Sequence, residues 1–198
     1  MRAAPTIVIP AAGASSRMRG GDKLLEHVDG RPLLRLVAER ALATGFPVRV
    51  ALPSANHPRA RALAGLNVEI VVVADWADGM SASLRAAVAH VETDVMIVLA
   101  DMPNITPQLM TALAEARNSD PSALIWRTQT PNGKTGHPAL FDASLLPEFA
   151  ALSGDQGAAP VIKTHAAALC LMPIADDNSQ LDLDTLEAWE MFRQTTGR

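Results

Sequence analysis

The sequence has little cysteine, no long apolar run and no excess of basic charge, and each shortage excludes a class of protein. Cys170 is the single cysteine among 198 residues, which excludes an internal disulfide framework or a multi-cysteine metal site and fits a reducing compartment. No apolar run approaches the roughly 20 residues of a membrane helix, and residues 1–6 lack the apolar core of a signal peptide. A formal net charge of −4 gives no support for a nucleic-acid footprint. We therefore expect a cytoplasmic protein that binds a small anion, with no nucleic-acid or membrane partner.

Three well-known loop motifs are also missing. A Walker A loop ends in Lys-Ser or Lys-Thr, but Gly21-Asp-Lys-Leu24 inserts an acid and lacks the magnesium-binding hydroxyl. The dinucleotide fingerprint G-x-G-x-x-G is absent, and Gly13-Ala-Ser-Ser-Arg17 has arginine where a nucleophile elbow has its last glycine. None of the three motifs therefore explains the glycine-rich start of the chain.

That start combines a short apolar run with small residues and then cations. Ile7–Ile9 suit a parallel strand covered on both faces. The glycines and cations that follow are Gly13, Arg17, Arg19, Gly20, Gly21 and Lys23. Glycine lets backbone N–H groups approach a ligand closely, and the cations neutralise a polyphosphate. The stretch predicts a polyphosphate-binding loop, and a glycine-rich turn with solvated cations is the alternative.

The rest of the chain alternates predicted strands and helices. The predicted strands are Val48–Leu52, Val68–Val73, Val95–Ala100, Pro121–Trp126 and Gly136–Phe141, and the predicted helices begin near Pro32, Pro58, Ser81, Pro107, Ala159 and Leu186. Asn118–Ser122 and Thr128–Lys134 are the predicted exposed loops. This order predicts a three-layer α/β fold with a mostly parallel central sheet and ligands beyond the carboxyl ends of the strands. We expect a single domain over residues 1–198.

Several polar residues have both a structural and a functional interpretation. Asp101 ends a buried strand, where it is either a turn residue or a ligand. Ser81 suits a helix N-cap, and Asp184 with Glu187 forms a D-x-x-E capping box. His137 is either a general base or a residue that orders its loop by hydrogen bonding.

Segments in matching order resemble the MobA-like nucleotidyltransferases. They are Ala11–Met18 with Lys23-Leu-Leu25, Gly79–Leu84, Asp101-Met-Pro103, Gly136–Phe141, Gly154–Ala158 and Asp182–Ala188. The resemblance implies a glycosyltransferase-A-like fold with a Rossmann-like nucleotide-binding half at about residues 1–105 and an acceptor-binding half at about 106–198. It also implies Mg²⁺-dependent transfer of a nucleotidyl group from an NTP to a phosphorylated small molecule.

The resemblance assigns a role to each candidate residue. Nucleotide binding falls to Ala11, Ala12, Gly13, Arg17, Lys23, Gly79, Ser81, Ser83 and Asp101, and acceptor binding to Gly136, His137, Pro138 and Asp155. The metal ligands are Asp101 and Asp184, with Asp182 as a ligand or an orienting group. Catalysis falls to Arg17, Lys23 and Asp101. Because the attacking phosphate is already an anion, no dedicated base is required, and we expect His137 to be dispensable for the chemistry.

The identity of the nucleotide depends on two alanines. Ala11-Ala12 before Gly13 is similar to the cytidylyltransferase branch, whereas the guanylyltransferase branch typically has two glycines. This predicts CTP as donor and the terminal phosphate of molybdopterin as acceptor, with a molybdoenzyme as recipient of the product. Pro10 and Leu186 depart from the family pattern, which usually has Leu and Pro at these places.

Other functions remain open. A guanylyltransferase or a sugar-phosphate nucleotidyltransferase would have a similar site. A non-catalytic nucleotide-sensing or cofactor-delivery module would need no pair of metal-binding acids. A flavin or nicotinamide reductase shares the α/β alternation but is disfavoured by the missing glycine fingerprint.

Overall fold

The structure is a computed structural model that describes residues 2–15, 18 and 21–198. The predicted roles of Arg17, Arg19 and Gly20 therefore lie outside the described residues.

The described elements alternate as expected. The strands are β1 (Thr6–Pro10), β2 (His27–Val28), β3 (Arg31–Pro32), β4 (Val48–Leu52), β5 (Glu69–Val72), β6 (Val95–Ile97), β7 (Ile125–Gln129), β8 (Thr135–Phe141) and β9 (Leu169–Pro173). The helices are α1 (Leu33–Leu42), α2 (Pro58–Ala62), α3 (Met80–Val88), α4 (Pro107–Ala116), α5 (Ala159–Thr164) and α6 (Leu186–Thr196). Short 3-10 helices cover Trp76–Asp78, Ala143–Ala151, Ala166–Ala168 and Asn178–Gln180.

A seven-stranded sheet in the order β5-β4-β1-β6-β8-β7-β9 forms the centre of the fold. Parallel pairing joins β5, β4, β1 and β6 through neighbouring strands, and it joins β7 to β9. Among the described strands of this sheet, β8 alone runs against its neighbours β6 and β7. The predicted mostly parallel sheet is therefore confirmed, with one reversed strand, β8, in the second half of the chain.

Each face of the sheet is covered by its own apolar layer. Residues of α1, α4 and α6 pack on one face in a cluster that includes Leu34, Leu113 and Trp189. Residues of α3 and α5 and the 3-10 helix Ala143–Ala151 pack on the other face. The sheet is thus buried between two helical layers, as the continuous apolar strands predict. Within the described part of the chain, no helix combines the length and the apolar character that crossing a bilayer needs.

Some predicted boundaries were wrong because polar strand residues read as loop. The strand predicted at Pro121–Trp126 begins at Ile125 and continues through Gln129. Thr128, the first residue of a predicted exposed loop, is fully buried, and its hydroxyl donates to His137 O at 3.2 Å. Strands β8 and β9 pair with β7 on its two sides and satisfy its backbone N–H and C=O groups. Polar residues are therefore tolerated in this strand, and a search for apolar runs does not detect its full length.

Of the two interpretations left open for Ser81 and for Asp184, the structure excludes helix capping. The N-cap of α3 is Gly79, and Ser81 lies inside the helix. The N-cap of α6 is Thr185, whose hydroxyl accepts from Ala188 N, so Asp184 is not the capping residue. The Asp184 side chain turns instead towards the first loop of the chain.

Candidate active site

A cavity of about 460 Å³ lies beyond the carboxyl ends of β1 and β6. Its lining is formed by Pro10, Ala11, Gly13, Ala14, Ser15, Lys23, Leu24, Trp76, Ala77, Gly79, Met80, Ser83, Leu99, Ala100, Asp101, Asp155, Asp182 and Asp184. The lining combines one lysine and four acids with a set of apolar side chains. A ligand with both a charged and an apolar part suits such a cavity.

Lys23 joins three distant parts of the sequence at the charged part of the cavity. Its Nζ lies 2.6 Å from Asp101 Oδ2 and also donates to Asp184 Oδ1. The three side chains are between 16% and 26% exposed, so the ion pairs are largely shielded from solvent. One cationic group therefore connects the loop after β1 with the end of β6 and with the segment that precedes α6.

The backbone explains why Asp101 and Asp184 meet. Asp101 follows β6 closely, and its carbonyl accepts a hydrogen bond from Leu183 N at 3.0 Å. Leu183 is fully buried, and its own carbonyl accepts from Trp189 Nε1 at 3.1 Å. The start of α6 thus fixes the segment before it against the end of β6, which brings Asp184 to Lys23.

Burial and charge shift the ionisation of the group. Burial raises the pKa of Asp101 above its usual range, Asp184 adds to this rise, and Lys23 opposes it. Burial lowers the pKa of Lys23, but Asp101 and Asp184 outweigh it, so the pKa lies above its ordinary value. The two carboxylates therefore stabilise the ammonium form of Lys23 more than burial destabilises it.

The chemistry of this acid pair fits a divalent cation. Asp101 Oδ1 is buried and has no hydrogen-bond partner among the described residues. A buried carboxylate oxygen without a donor is costly, and a hard cation would satisfy it. No group of three or more His, Cys, Asp and Glu side chains within residues 2–15, 18 and 21–198 is arranged to hold a metal. One or two carboxylates together with substrate phosphates, however, are the usual ligands of Mg²⁺.

The start of α3 contacts the segment before α5. Asp155 Oδ1 accepts from Met80 N at 3.1 Å, and Ser81 N donates to Gly154 O at 3.0 Å. Gly79 has a φ of +96°, and a Cβ there would lie 2.4 Å from Asp155 Oδ1, so this contact requires glycine. The predicted nucleotide-side Gly79 and acceptor-side Asp155 therefore line the cavity in direct contact.

The predicted serines and alanines separate into lining and core residues. Ser83 lines the cavity, whereas Ser81 is fully buried and its hydroxyl donates to Ser153 O at 3.1 Å. Both alanines are buried, but Ala11 lines the cavity and packs in the core on the α1 face, whereas Ala12 packs in the core on the α3 face. The described structure thus places one residue of each pair at the cavity.

The predicted acceptor residues of β8 lie away from this cavity. Gly136, His137 and Pro138 are not among the described lining residues. A Cβ at Gly136 would lie 2.5 Å from Ser179 O, so the glycine permits close packing. Burial, with Arg127 adding to it and a hydrogen bond with the Ile97 backbone opposing it, lowers the pKa of His137 to about 4. His137 is therefore neutral at pH 7.

Sequence reasoning missed two residues near the loop. Trp76 lines the cavity and is 38% exposed, whereas the other two tryptophans are buried. Arg59, in the first turn of α2, is 2% exposed and contacts the loop after β1. The signal that could have found Arg59 is Asp22, because an acid inside an anion-binding loop calls for a counter-charge.

Comparison with known proteins identifies the family. A model of the MobA-like NTP transferase domain matches residues 7–169, which is most of the chain. The chain belongs to this family. The family is one of nucleotidyltransferases, and the protein is accordingly a nucleotidyltransferase enzyme.

Two curated relatives are named for different activities, one an oxidoreductase and one a guanylyltransferase. "Nicotine blue oxidoreductase" of Paenarthrobacter nicotinovorans is 33% identical over 197 residues, with 95% of each chain covered. "Probable molybdenum cofactor guanylyltransferase" of Natronomonas pharaonis is 36% identical over 121 residues, with 60% of each chain covered.

A solved structure extends the likeness to the whole fold. The crystal structure of Rv0371c from Mycobacterium tuberculosis H37Rv has a TM-score of 0.83 at 26% identity and covers 98% of this chain and 100% of its own. A second structure of that protein is a complex with manganese, with a TM-score of 0.81 at 24% identity over 98% and 100% of the two chains.

Proposed function

We propose that the protein transfers a cytidylyl group from CTP to the terminal phosphate of molybdopterin and releases pyrophosphate. The observation that carries the proposal is the contact of Lys23 with Asp101 and Asp184 at a cavity formed by the loop after β1. This arrangement supplies one cation and two acids where a nucleoside triphosphate and its metal would meet.

The reaction is a displacement at phosphorus. An oxygen of the acceptor phosphate forms a bond to the α-phosphorus of CTP, while the bond to the pyrophosphate oxygen breaks and its electron pair leaves with pyrophosphate. Lys23, together with Arg17 outside the described residues, would neutralise the triphosphate and the departing pyrophosphate. The attacking oxygen carries no proton that must be removed, so a neutral His137 is compatible with the scheme.

Asp101 and Asp184 would hold Mg²⁺, and Asp182 lines the same cavity. When bound, the ion would supply charge neutralisation and a fixed orientation of the phosphates. The unpartnered Asp101 Oδ1 supports this assignment, and the manganese complex of the structural relative is consistent with a divalent ion in this family.

The preference for CTP rests on Ala11. Ala11 lines the cavity although it is only 2% exposed, and a glycine there would remove a methyl group and leave more room for a purine. A steric difference of this kind is worth about 1–3 kcal/mol, so GTP would be a poor substrate rather than an excluded one. The relative named as a guanylyltransferase favours GTP, which is the second candidate nucleotide.

The relative named as an oxidoreductase favours a different reaction class. A dye reductase would require a reduced nicotinamide or flavin, for which the loop lacks the dinucleotide fingerprint. Lys23, Asp101 and Asp184 would then have no evident part in hydride transfer. We therefore retain nucleotidyl transfer as the proposal and test the alternative directly.

A parallel assay separates these functions. The protein is incubated with each NTP, Mg²⁺ and molybdopterin while pyrophosphate is measured, with a sugar phosphate as a second acceptor. Separate reactions contain NADH or NADPH with nicotine blue and follow absorbance. Release of pyrophosphate from CTP only in the presence of molybdopterin supports the proposal. Release from GTP alone, or oxidation of the nicotinamide without release, contradicts it.

A further inference from the structure

Arg59 is a buried charge with a complete set of partners. It lies in α2 and is 2% exposed, although Arg61, two residues later, is exposed to solvent. Burial of a guanidinium group is costly unless hydrogen bonds and a counter-charge compensate for it. The hydrogen bonds and the counter-charge of Arg59 must therefore compensate for its burial.

The guanidinium group of Arg59 binds a carboxylate on one edge and two backbone carbonyls on another. Its Nε and Nη2 donate to the two oxygens of Asp22 at 2.8 Å each. Its Nη1 donates to Ala11 O and to Gly13 O, at 2.7 Å in both cases. These bonds match the planar geometry of arginine, which a lysine ammonium does not reproduce.

The contacts tie the two ends of the loop together. Ala11 and Gly13 leave β1, whereas Asp22 directly precedes Lys23. Between them, Ser15 Oγ accepts from Arg59 Nη2 at 3.0 Å and donates to Asp22 Oδ1 at 3.4 Å. Ser15 has a φ of +52°, a conformation that an L side chain adopts only when its surroundings hold it there.

The same contacts change what the loop offers to an anion. Carbonyl oxygens and carboxylates repel phosphate oxygens, and the loop contains both. Arg59 draws two carbonyls onto itself and neutralises Asp22, which also accepts from Leu24 N at 3.1 Å. The backbone on either side of Lys23 is thus fixed, and the acid beside Lys23 no longer carries an uncompensated charge.

We propose that Arg59 is a positioning residue that holds the loop after β1 in its phosphate-binding form through Ala11, Gly13, Ser15 and Asp22. It acts on the nucleotide through the loop and through Lys23 rather than by touching the reacting atoms. The part that concerns the nucleotide rests on the proposed function. The part that concerns the loop does not depend on any ligand.

The test compares Arg59→Lys with Arg61→Lys, a matched change on the exposed side of the same helix. Nucleotide affinity is read from the change in tryptophan fluorescence on binding, because Trp76 lines the cavity whereas the buried Trp126 and Trp189 are not among its described lining residues. We expect Arg59→Lys to weaken binding of CTP at least tenfold and to lower kcat as well, and Arg61→Lys to leave both within twofold. Equal behaviour of the two variants would overturn the proposal.

Two further measurements keep the test decisive. Asp22→Asn should lower kcat/KM at least fivefold when assayed well below its melting temperature, which should itself fall because Arg59 stays buried without its counter-charge. Adding Arg59→Lys should cause little further loss of kcat/KM, because both changes act through one contact. If the losses of kcat/KM in the two single variants multiply in the double variant, the shared contact is contradicted.

Amide hydrogen exchange of residues 11–15, measured without nucleotide, should be faster in Arg59→Lys than in Arg61→Lys. If the unaltered protein releases no pyrophosphate from any NTP, the proposed function fails, and the exchange rates still decide the role of Arg59.

Discussion

The polar side chains around the loop after β1 and the His137 side chain at the start of β8 differ in their hydrogen bonding and in their charge. In the loop region, Arg59 is fully hydrogen-bonded, and Lys23 contacts two acids. At the start of β8, the buried Nδ1 atom of His137 has no hydrogen-bond partner among the described residues, and the pKa of the ring is lowered to about 4. Charged side chains thus pair with one another where a triphosphate would bind, whereas the His137 ring is neutral beside Arg127 where the predicted acceptor side begins.

This contrast is what transfer to an anionic acceptor requires. The main obstacle is repulsion between phosphates, which cations overcome, and a proton acceptor has little to do. If the contrast is functional, changes in the loop region should reduce turnover strongly and a change at His137 should not.

The largest effect is expected for Asp101→Ala. This change removes the buried carboxylate that contacts Lys23, so turnover should fall by at least about a thousandfold, the range of a lost electrostatic group in a catalytic site. Because Asp101 lies beyond the end of β6, the melting temperature should change little. Pyrophosphate release and thermal melting are measured together, with Glu190→Gln on the exposed face of α6 as the control. Early melting, or turnover near that of the control, would refute the assignment.

A smaller but still large effect is expected for Lys23→Ala. Loss of a cation that acts on the triphosphate in the transition state should lower both kcat and kcat/KM, by about a hundredfold or more. Arg19→Ala provides the comparison, since Arg19 does not match the family motif. Steady-state rates against CTP concentration decide the question. Equal losses in the two variants would mean that the loop supplies only diffuse positive charge.

Of the two alanines before Gly13, Ala11 alone is among the described residues that line the cavity, so it is the one expected to affect the choice between CTP and GTP. Ala11→Gly should raise kcat/KM for GTP relative to CTP by about tenfold, because it removes a methyl group from the cavity lining. Ala12→Gly is the matched control, since Ala12 lies in the core and its change should lower stability without altering the ratio. Competition between the two nucleotides measures the ratio. The same ratio in both variants would show that the choice lies elsewhere.

The smallest effect on turnover is expected for His137→Gln, within about threefold of the unaltered protein. Its effect should appear in stability, because the folded pKa of about 4 lies below the ordinary 6.5. The unfolded chain binds the proton more readily, so His137 destabilises the fold as pH falls from 6.5 towards 4, by up to about 3 kcal/mol.

Denaturant unfolding of both proteins at pH 7 and pH 5 tests this expectation. The unaltered protein should lose more stability than His137→Gln between these values. A large loss of turnover in the variant would instead make His137 part of the chemistry.

Local sequence patterns predicted most of the fold. Apolar strands, proline-initiated helices and glycines sufficed for the alternation, and Asp101 stood out because it follows a buried strand. The contact of Lys23 with Asp184 could not be predicted from spacing, because the two residues are separated by 161 positions. Asp184 reaches Lys23 because the backbone of the neighbouring Leu183 is hydrogen-bonded to Asp101. Arg59 escaped notice for a related reason, since two of its partners are carbonyls that carry no sequence signature.

The most direct test of the central claim follows the α-phosphate itself. CTP labelled at the α-phosphorus is incubated with Mg²⁺, molybdopterin and either the unaltered protein or Asp184→Asn. The account predicts that the label moves onto molybdopterin in equal amount to the pyrophosphate released, and that Asp184→Asn abolishes this transfer while still folding. Label that stays on CTP, or that appears as free CMP without a molybdopterin product, would contradict the assignment.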